Sequence, residues 1–242
     1  GTDYQDEVFT TAPMSDMNLN ISGGGDRSKY SFGASYFNQD GIVGGSKSNY
    51  DRFTGRVNYN LEIIDNLKLN LSGIYTNSNR KTLAENALGS VLFNAVNMNP
   101  NIPVRDADGN FSLAEGLGNE VVNPLAQINN AFNDTRVDKI SGVGGLEYTI
   151  WDKLTAKTQF QFNYSEVDGR YFSPEVFYGS GKVFNVDRNN VTENFEIYRD
   201  YTWDNFLTYN DSFGDHNLKW LLGMSVFKTT GDLASLTGFE LP

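Results

Sequence analysis

The 242-residue sequence predicts an all-β fold, a segment of an antiparallel transmembrane β-barrel with about eight strands. Apolar and polar residues alternate with a period of two along successive segments, which gives each strand one apolar and one polar face. Short turns also alternate strictly with long connections, as they do in barrels that cross a membrane. Aromatic residues reach 14% although mean hydropathy is −0.45, and alternation of this kind hides membrane strands from hydropathy averages.

Composition excludes several classes of function. The net charge of −11 argues against a nucleic-acid partner, because phosphate binding requires clustered lysine and arginine. The absence of cysteine excludes disulfides, thiolate metal sites and a thiol nucleophile. No run approaches the ~18 consecutive apolar residues that a membrane helix requires.

The alternating segments form four predicted hairpins, each with one apolar, aromatic-rich face. They run from Met17 to Tyr36, from Phe53 to Tyr75, from Ile140 to Tyr164 and from Ile197 to Val226. The predicted short turns lie near residues 24–28, 64–66, 151–153 and 210–216. The predicted long connections lie near residues 38–50, 77–135 and 166–193. Residues 1–14 and 231–242 are also predicted to be loops.

One helix is predicted, within the connection 77–135. Thr82 and Glu85 have the spacing of a capping box, and apolar residues then recur at helical spacing until Asn99-Pro100. The predicted helix therefore spans residues 82–97. Further along the same connection, Arg105 to Phe111 is predicted to be a small turn or hairpin tip.

Short motifs along the whole chain resemble the SusC/RagA family of TonB-linked (TonB-dependent) outer-membrane transporters. They are GTDYQDE at Gly1, NLNISGG at Asn18, YSFGASYFNQDGIV at Tyr30, the NP and DGN of the long loop, WDNFLTY at Trp203 and HNLKWLLG at His216. The resemblance implies that residues 1–242 are part of one barrel domain of roughly 22 strands closed around a plug, with the plug and the remaining strands absent. Connections 77–135 and 166–193 are then extracellular loops.

The same resemblance implies a location and a set of partners. The location is the outer membrane of a Gram-negative, Bacteroidetes-type bacterium, in contact with the lipid bilayer. The implied partners are a SusD-like surface lipoprotein lid, the TonB complex acting through other parts of the receptor, and an oligosaccharide or peptide as the imported nutrient.

The residues carry no enzyme signature, and no catalytic residue, metal or cofactor is predicted. The single histidine, His216, lies in a predicted turn without a matched nucleophile motif. Asp200 and Asp204 share a face, but four residues of strand separate them by about 13 Å. Glycosidase carboxylate pairs lie about 5–9.5 Å apart, so these two residues are interpreted as charges that line the lumen.

The connection 77–135 contains part of the residue pattern of a calcium loop. Asp106, Asp108 and Asn110 have the 1, 3, 5 spacing of such a loop, but Phe111 replaces the glycine at position six and Leu117 the glutamate at position twelve. A polar turn is the preferred interpretation.

Candidate substrate-binding residues lie in the two long loops. They are Asn97, Asn99, Arg105, Tyr171, Phe172 and Tyr178. The aromatic members could stack on sugar rings or on apolar peptide side chains. The alternative is that the helix packs on the barrel rim or the lid, and that the aromatic residues pack loop against loop or form the lid interface.

Two functions therefore compete. The first is nutrient import by a TonB-dependent receptor, in which this segment supplies barrel wall and outer loops. The second is a non-transporting structural or adhesive outer-membrane barrel. A plug and a TonB-contacting segment upstream in the gene would discriminate between them.

Overall fold

The computed structural model describes residues 1–84 and 87–241, and within them the chain forms one antiparallel sheet of eight strands and three short helices. The strands are β1 (Met14–Gly24), β2 (Ser28–Gly41), β3 (Gly45–Ile64), β4 (Leu67–Thr82), β5 (Phe132–Trp151), β6 (Leu154–Ser173), β7 (Asn190–Phe213) and β8 (His216–Phe239). The helices are α1 (Tyr4–Val8), α2 (Val91–Asn97) and α3 (Pro124–Asn129). Each strand pairs with the next along the chain, which leaves β1 and β8 at the edges of the described sheet.

The antiparallel fold and the predicted hairpins are confirmed. The short turns occupy residues 25–27, 65–66, 152–153 and 214–215. The predicted faces hold as well: Tyr75 of β4 lies opposite Ile140 of β5, which in turn lies opposite Tyr164 of β6. Residues two apart share a face of a strand, so one register carries the apolar face across the sheet.

The strands are longer than the alternation predicts. β4 extends to Thr82 and β6 to Ser173, so the long connections shrink to residues 83–131 and 174–189. The predicted loop at 38–50 reduces to residues 42–44, and most of the predicted terminal loop at 231–242 belongs to β8. These extensions lack a clean apolar period, so the alternation does not reveal them.

The helix predicted for 82–97 is corrected to Val91–Asn97. Thr82 is paired with Asn133 in the sheet, and Glu85, the other half of the predicted capping box, lies outside the described residues. Ser90 is the actual N-cap, and its hydroxyl accepts a hydrogen bond from the Phe93 N–H at 3.5 Å. Gly89, directly before this cap, has a φ of +73°, a conformation in which helix cannot continue.

Residues 1–14, predicted to be a loop, contain α1. The Asp3 side chain caps this helix by accepting hydrogen bonds from the N–H groups of Gln5 (3.0 Å) and Asp6 (3.2 Å). Tyr4 and Val8 of the helix are buried. The helix has only five residues, too few for a helical apolar period, so its one sequence signal is the aspartate at position 3.

The hydrophobic core lies in the connections and not on the sheet. We call residues 1–13, 42–44, 83–131 and 174–189 the loop cap. Every buried apolar side chain of the described residues belongs to it: Tyr4, Val8, Val43, Leu83, Val91, Ala95, Met98, Ala114, Val121, Val122, Pro124, Ala126, Ile128 and Tyr178. The Tyr4 hydroxyl is within hydrogen-bonding distance, 3.1 Å, of both the Ile102 and Pro103 carbonyl oxygens, which ties α1 to the connection 83–131.

Two buried asparagines connect the segments of the loop cap. The Asn94 amide donates to the Gly89 carbonyl and to Gln127 Oε1, both at 3.0 Å, and its Oδ1 accepts the Val122 N–H at 3.1 Å. The Asn123 side chain caps α3 and donates to the Val104 carbonyl at 2.8 Å. Buried amides that are satisfied in this way fix one arrangement of the backbone.

Asn94→Ala should open the loop cap locally. The substitution leaves the Val122 N–H and Gln127 Oε1 without their buried partner, at a cost of about 1–3 kcal/mol. We expect the Val122 amide to lose hydrogen-exchange protection by about tenfold or more. Asn97→Ala on the same helix is the matched control, because Asn97 is exposed and donates only to the Phe93 carbonyl. Unchanged protection of Val122 in Asn94→Ala would contradict the role of Asn94.

Candidate functional site

One face of the sheet carries a continuous band of exposed and half-buried apolar side chains, which we call the apolar belt. Its upper row runs Tyr75, Ile140, Tyr164, and its lower row runs Leu67, Tyr148, Ala156, Leu207. Phe160 lies midway and is 47% exposed. A water-soluble protein rarely exposes so large an apolar surface, so this face requires an apolar partner.

Tyrosine lies at both margins of the apolar belt. In the strand register the upper row carries Tyr75 and Tyr164, and Tyr36 lies one row nearer the loop cap. The lower row carries Tyr148, and Tyr209 and Trp220 lie one row nearer the short turns. Inside the belt, Trp203 donates its indole N–H to Thr158 Oγ1 at 2.9 Å. Aromatic girdles of this kind flank the lipid-facing band of membrane barrels.

Charged rows follow the apolar belt on the same face, nearer the loop cap. Asp138 lies one row above Tyr75 and accepts hydrogen bonds from its hydroxyl (2.6 Å) and from the Asn77 amide (2.8 Å). Arg136 pairs with the same carboxylate at 2.8 Å. The change from apolar to charged side chains therefore occurs at the tyrosine margin.

The opposite face of the sheet is polar. It carries a shallow groove of about 210 Å³ whose polar lining includes Arg56, Asn58, Ser72, Ser141, Gln161 and Asn163. Asp200 lies on this face, as predicted, and accepts a hydrogen bond from the Thr229 hydroxyl. Leu221 and Phe227 of β8 are apolar exceptions on the same face.

The candidate residues of the connection 83–131 lie on the exposed surface of the loop cap. Asn97 donates to the Phe93 carbonyl at 2.8 Å, and Asn99 Oδ1 accepts the Asn101 N–H at 2.9 Å. Arg105 lies 4.1 Å from the centre of the Phe111 ring. The Arg105–Phe111 β-bridge confirms the predicted hairpin tip.

The residues with calcium-loop spacing at this hairpin tip form a turn. Asp106 Oδ1 accepts the N–H groups of Asp108 (3.0 Å) and Asn110 (2.9 Å). Among residues 1–84 and 87–241, no group of three or more histidine, cysteine, aspartate or glutamate side chains could hold a metal ion.

The aromatic candidates separate into three environments. Tyr171 lies on the polar face of β6, and its hydroxyl is 3.5 Å from Thr135 Oγ1. Phe172 lies on the other face, edge-on to Phe132 with ring centres 5.7 Å apart. Tyr178 is buried in the loop cap, 7% exposed, and this burial raises the pKa of its phenol. The six candidates therefore do not form a single site.

Lys182 is a buried charged residue of the loop cap that the sequence did not single out. Its ammonium nitrogen donates to the carbonyl oxygens of Gly118 (3.0 Å) and Leu117 (3.3 Å), which joins the connection 174–189 to 83–131. Only 6% of the residue is exposed. Burial lowers the pKa of the amine, and the nearby carboxylates of Glu115 and Glu120 oppose the shift.

The lowered pKa of Lys182 predicts that the loop cap gains stability as pH rises toward 10.5, the ordinary value for the amine. In that interval the opened segment binds a proton that the closed segment does not, so raising the pH favours closure. Proteolytic cleavage within 174–189, measured on the full-length protein, should slow with rising pH relative to the same cleavage in Lys182→Met. Identical pH profiles for the two proteins would contradict this role for Lys182.

Sequence comparison finds relatives of known class. The chain is 31% identical over 240 residues, or 96% of its length, to TonB-dependent receptor P3 of Formosa agariphila. It is 30% identical over 116 residues, 48% of its length, to TonB-dependent receptor SusC of Bacteroides thetaiotaomicron. The chain spans 23% of the P3 receptor and 11% of SusC. No family model matches the sequence.

Structural comparison finds the same architecture in solved receptors. The RagAB peptide transporter superposes with a TM-score of 0.81 at 22% identity, covering 99% of this chain and 27% of the matched chain. BauA, the ferric preacinetobactin receptor of Acinetobacter baumannii, matches with a TM-score of 0.55 at 11% identity over 93% of this chain and 30% of that one. In the described residues, no helix has the length and apolar character to cross a membrane.

These findings confirm the resemblance that the motifs indicate. The relatives are TonB-dependent receptors along nearly the whole chain, and the strands superpose on the barrel of RagAB. The chain is a barrel segment of the SusC/RagA type of TonB-dependent receptor.

Proposed function

We propose that this chain forms barrel wall and outer loops of a TonB-dependent importer in the outer membrane of a Gram-negative bacterium. The observation that carries the proposal is the apolar belt, which has tyrosine at the margin toward the loop cap, tyrosine and tryptophan at the margin toward the short turns, and a polar face behind it. A barrel wall needs both properties, because one side meets lipid and the other meets an aqueous or plugged lumen.

The loop cap adds support for the orientation of the segment. All long connections leave the sheet at one end, and the turns at the other end have only two or three residues. Outer-membrane barrels place short turns in the periplasm and long loops outside the cell. The loop cap would then be extracellular, and connections 83–131 and 174–189 would meet the incoming nutrient.

The proposed cargo is an oligosaccharide or a peptide, taken up with energy supplied through TonB. The name of the RagAB peptide transporter supports a peptide, and the name of the TonB-dependent receptor SusC supports energy supplied through TonB. A SusD-like surface lipoprotein would close over the loop cap. Asn97, Asn99, Arg105 and Tyr171 remain the accessible candidates for contact with cargo or lid, whereas Tyr178 is buried.

Phe160→Arg and Gln161→Arg test the placement of the belt in lipid. These neighbours lie on opposite faces of β6, and Phe160 occupies the middle of the apolar belt. An arginine at the bilayer midplane costs a barrel about 2–4 kcal/mol, whereas one in the lumen costs far less. We expect Phe160→Arg to deplete the folded, heat-modifiable receptor in outer-membrane fractions and Gln161→Arg to preserve it. Equal depletion would contradict the assignment of the faces.

Deletion of the gene tests import itself. We expect the deletion to abolish uptake of at least one labelled oligosaccharide or peptide, and complementation with the full-length gene to restore it. Dissipation of the proton-motive force should also stop the restored uptake, because TonB draws on that energy. Unaltered uptake of a broad panel in the deletion strain would contradict the import proposal and favour a structural or adhesive barrel.

A further inference from the structure

A pocket lies on the flank of the sheet where the charged rows meet the loop cap. We call it the flank pocket; it has a volume of about 450 Å³. Its charged and aromatic lining consists of Lys47, Lys81, Phe132, Asp134, Arg170 and Phe172. The volume lies in the range of small-molecule sites, about 300–1,000 Å³.

The flank pocket opens on the outside of the wall and is separate from the polar face. Lys81, Asp134 and Arg170 lie directly opposite one another on β4, β5 and β6, in the register that also places Tyr75 and Tyr164 on the apolar side. A solute in the lumen would therefore not reach it.

The charge of the pocket favours an anion. Within the described part of the chain, Lys47, Lys81 and Arg170 face one carboxylate, Asp134, in a chain whose net charge is −11. Glu193 compensates Arg170 only in part, with a separation of 3.7 Å between Nε and Oε1. A local excess of positive charge in an acidic protein attracts an anionic ligand to this position.

The pocket is also built to hold its cations in place. The Lys47 ammonium donates to the Ala131 carbonyl at 3.1 Å and lies 3.8 Å from the centre of the Phe132 ring. Phe132 is in turn held edge-on by Phe172. A positioned ammonium beside aromatic surface suits a ligand that has a negative group on a ring with an apolar side.

The height of the pocket above the apolar belt further restricts the class of ligand that could reach it. Lys81 lies six residues beyond Tyr75 on β4, which is about 20 Å of strand, or about 14 Å along the membrane normal for a strand tilted by ~45°. Each headgroup layer of a bilayer is only about 5–8 Å thick. The pocket would therefore lie beyond phospholipid headgroups, at the level that the sugars of a glycolipid reach.

We infer that the flank pocket binds an anionic saccharide, a sugar that carries phosphate or carboxylate groups. The inference rests on the proposed placement of the apolar belt in a membrane and does not depend on transport. Lys47, Lys81 and Arg170 bind the negative groups, and Phe172 contacts the apolar side of the sugar ring.

Calorimetric titration of the full-length receptor in detergent micelles tests the inference. The probes are a glycolipid in which phosphorylated sugars extend outward from an acylated, diphosphorylated glucosamine disaccharide, and the same oligosaccharide after deacylation, which is water-soluble. We expect saturable binding that Lys81→Glu weakens by at least about tenfold, because it replaces a charge-assisted contact with a repulsive one. Lys139→Glu is the matched control, since it reverses the same charge on the polar face of β5.

The two probes identify the source of the sugar. Tighter binding of the acylated form, with the same loss in Lys81→Glu, assigns the pocket to a glycolipid of the surrounding leaflet. Equal binding of both forms assigns it to a soluble saccharide. If Lys81→Glu does not reach the folded, heat-modifiable state, Lys81→Gln and Phe172→Leu replace it, and each should still weaken binding.

Three results would overturn the inference: no saturable binding of either probe, equal loss of binding in Lys139→Glu, or undiminished binding of the oligosaccharide after its phosphate groups are removed. Absence of binding together with normal nutrient uptake would contradict only the inference that the flank pocket binds an anionic saccharide. Equal depletion of the folded Phe160→Arg and Gln161→Arg receptors would instead contradict the placement of the apolar belt in the membrane, on which the inference rests.

Discussion

The hydrogen-bond ladder between neighbouring strands is the constraint on which the rest of this structure depends. In a hydrocarbon layer the backbone N–H and C=O groups have no water to bind, so every residue of the wall has to pair with a neighbouring strand. That pairing fixes the register, and the register decides which side each side chain occupies. A slip of one residue along β6 would move Phe160 to the polar face and Gln161 to the apolar belt. The belt, its aromatic margins and the charged rows above them are consequences of one set of backbone bonds.

The sheet and the loop cap are stabilised by different interactions. The sheet buries almost no side chain within the described residues, and its apolar surface requires contact with an external apolar medium. The loop cap has an ordinary core, in which Val91 and Val122 are fully buried and the amide of Asn94 bonds to groups on either side of it. Lys182 belongs to the second type, because its buried amine holds two connections together through their carbonyl groups. The sequence of the loop cap can therefore diverge while the sheet keeps its strand pairing.

The sequence predicts the part of each strand that has two different faces. Leu67 to Tyr75 and Ile140 to Ile150 alternate, so their strands and their apolar side follow from the order of residues alone. Asn77 to Thr82 is polar on both faces, and only the tertiary pairing with β5 makes it strand. The predicted start of the helix was wrong for a related reason. Leu83 is apolar because it packs in the loop-cap core, and it does not belong to a helix. Composition identified Tyr171, Phe172 and Tyr178 as one aromatic group, but register and burial separate them. Asn94 gives no local signal at all, whereas Asn123 could have been found from the Asn-Pro that begins α3.

The loop cap is assembled from segments that lie on either side of complete hairpins, and α1 precedes the first strand of the sheet. Tyr4 reaches across to the carbonyls of Ile102 and Pro103, 98 and 99 positions away in the chain. The connections of the loop cap therefore depend on one another: no single connection can be exchanged between relatives without leaving its neighbours unpacked. Chimeras that exchange this surface between relatives will have to transfer residues 1–13, 42–44, 83–131 and 174–189 as one block. We therefore expect this surface to diversify by concerted changes across the whole block. Exchange of a single loop would impair folding, and selection would remove it whatever its effect on binding.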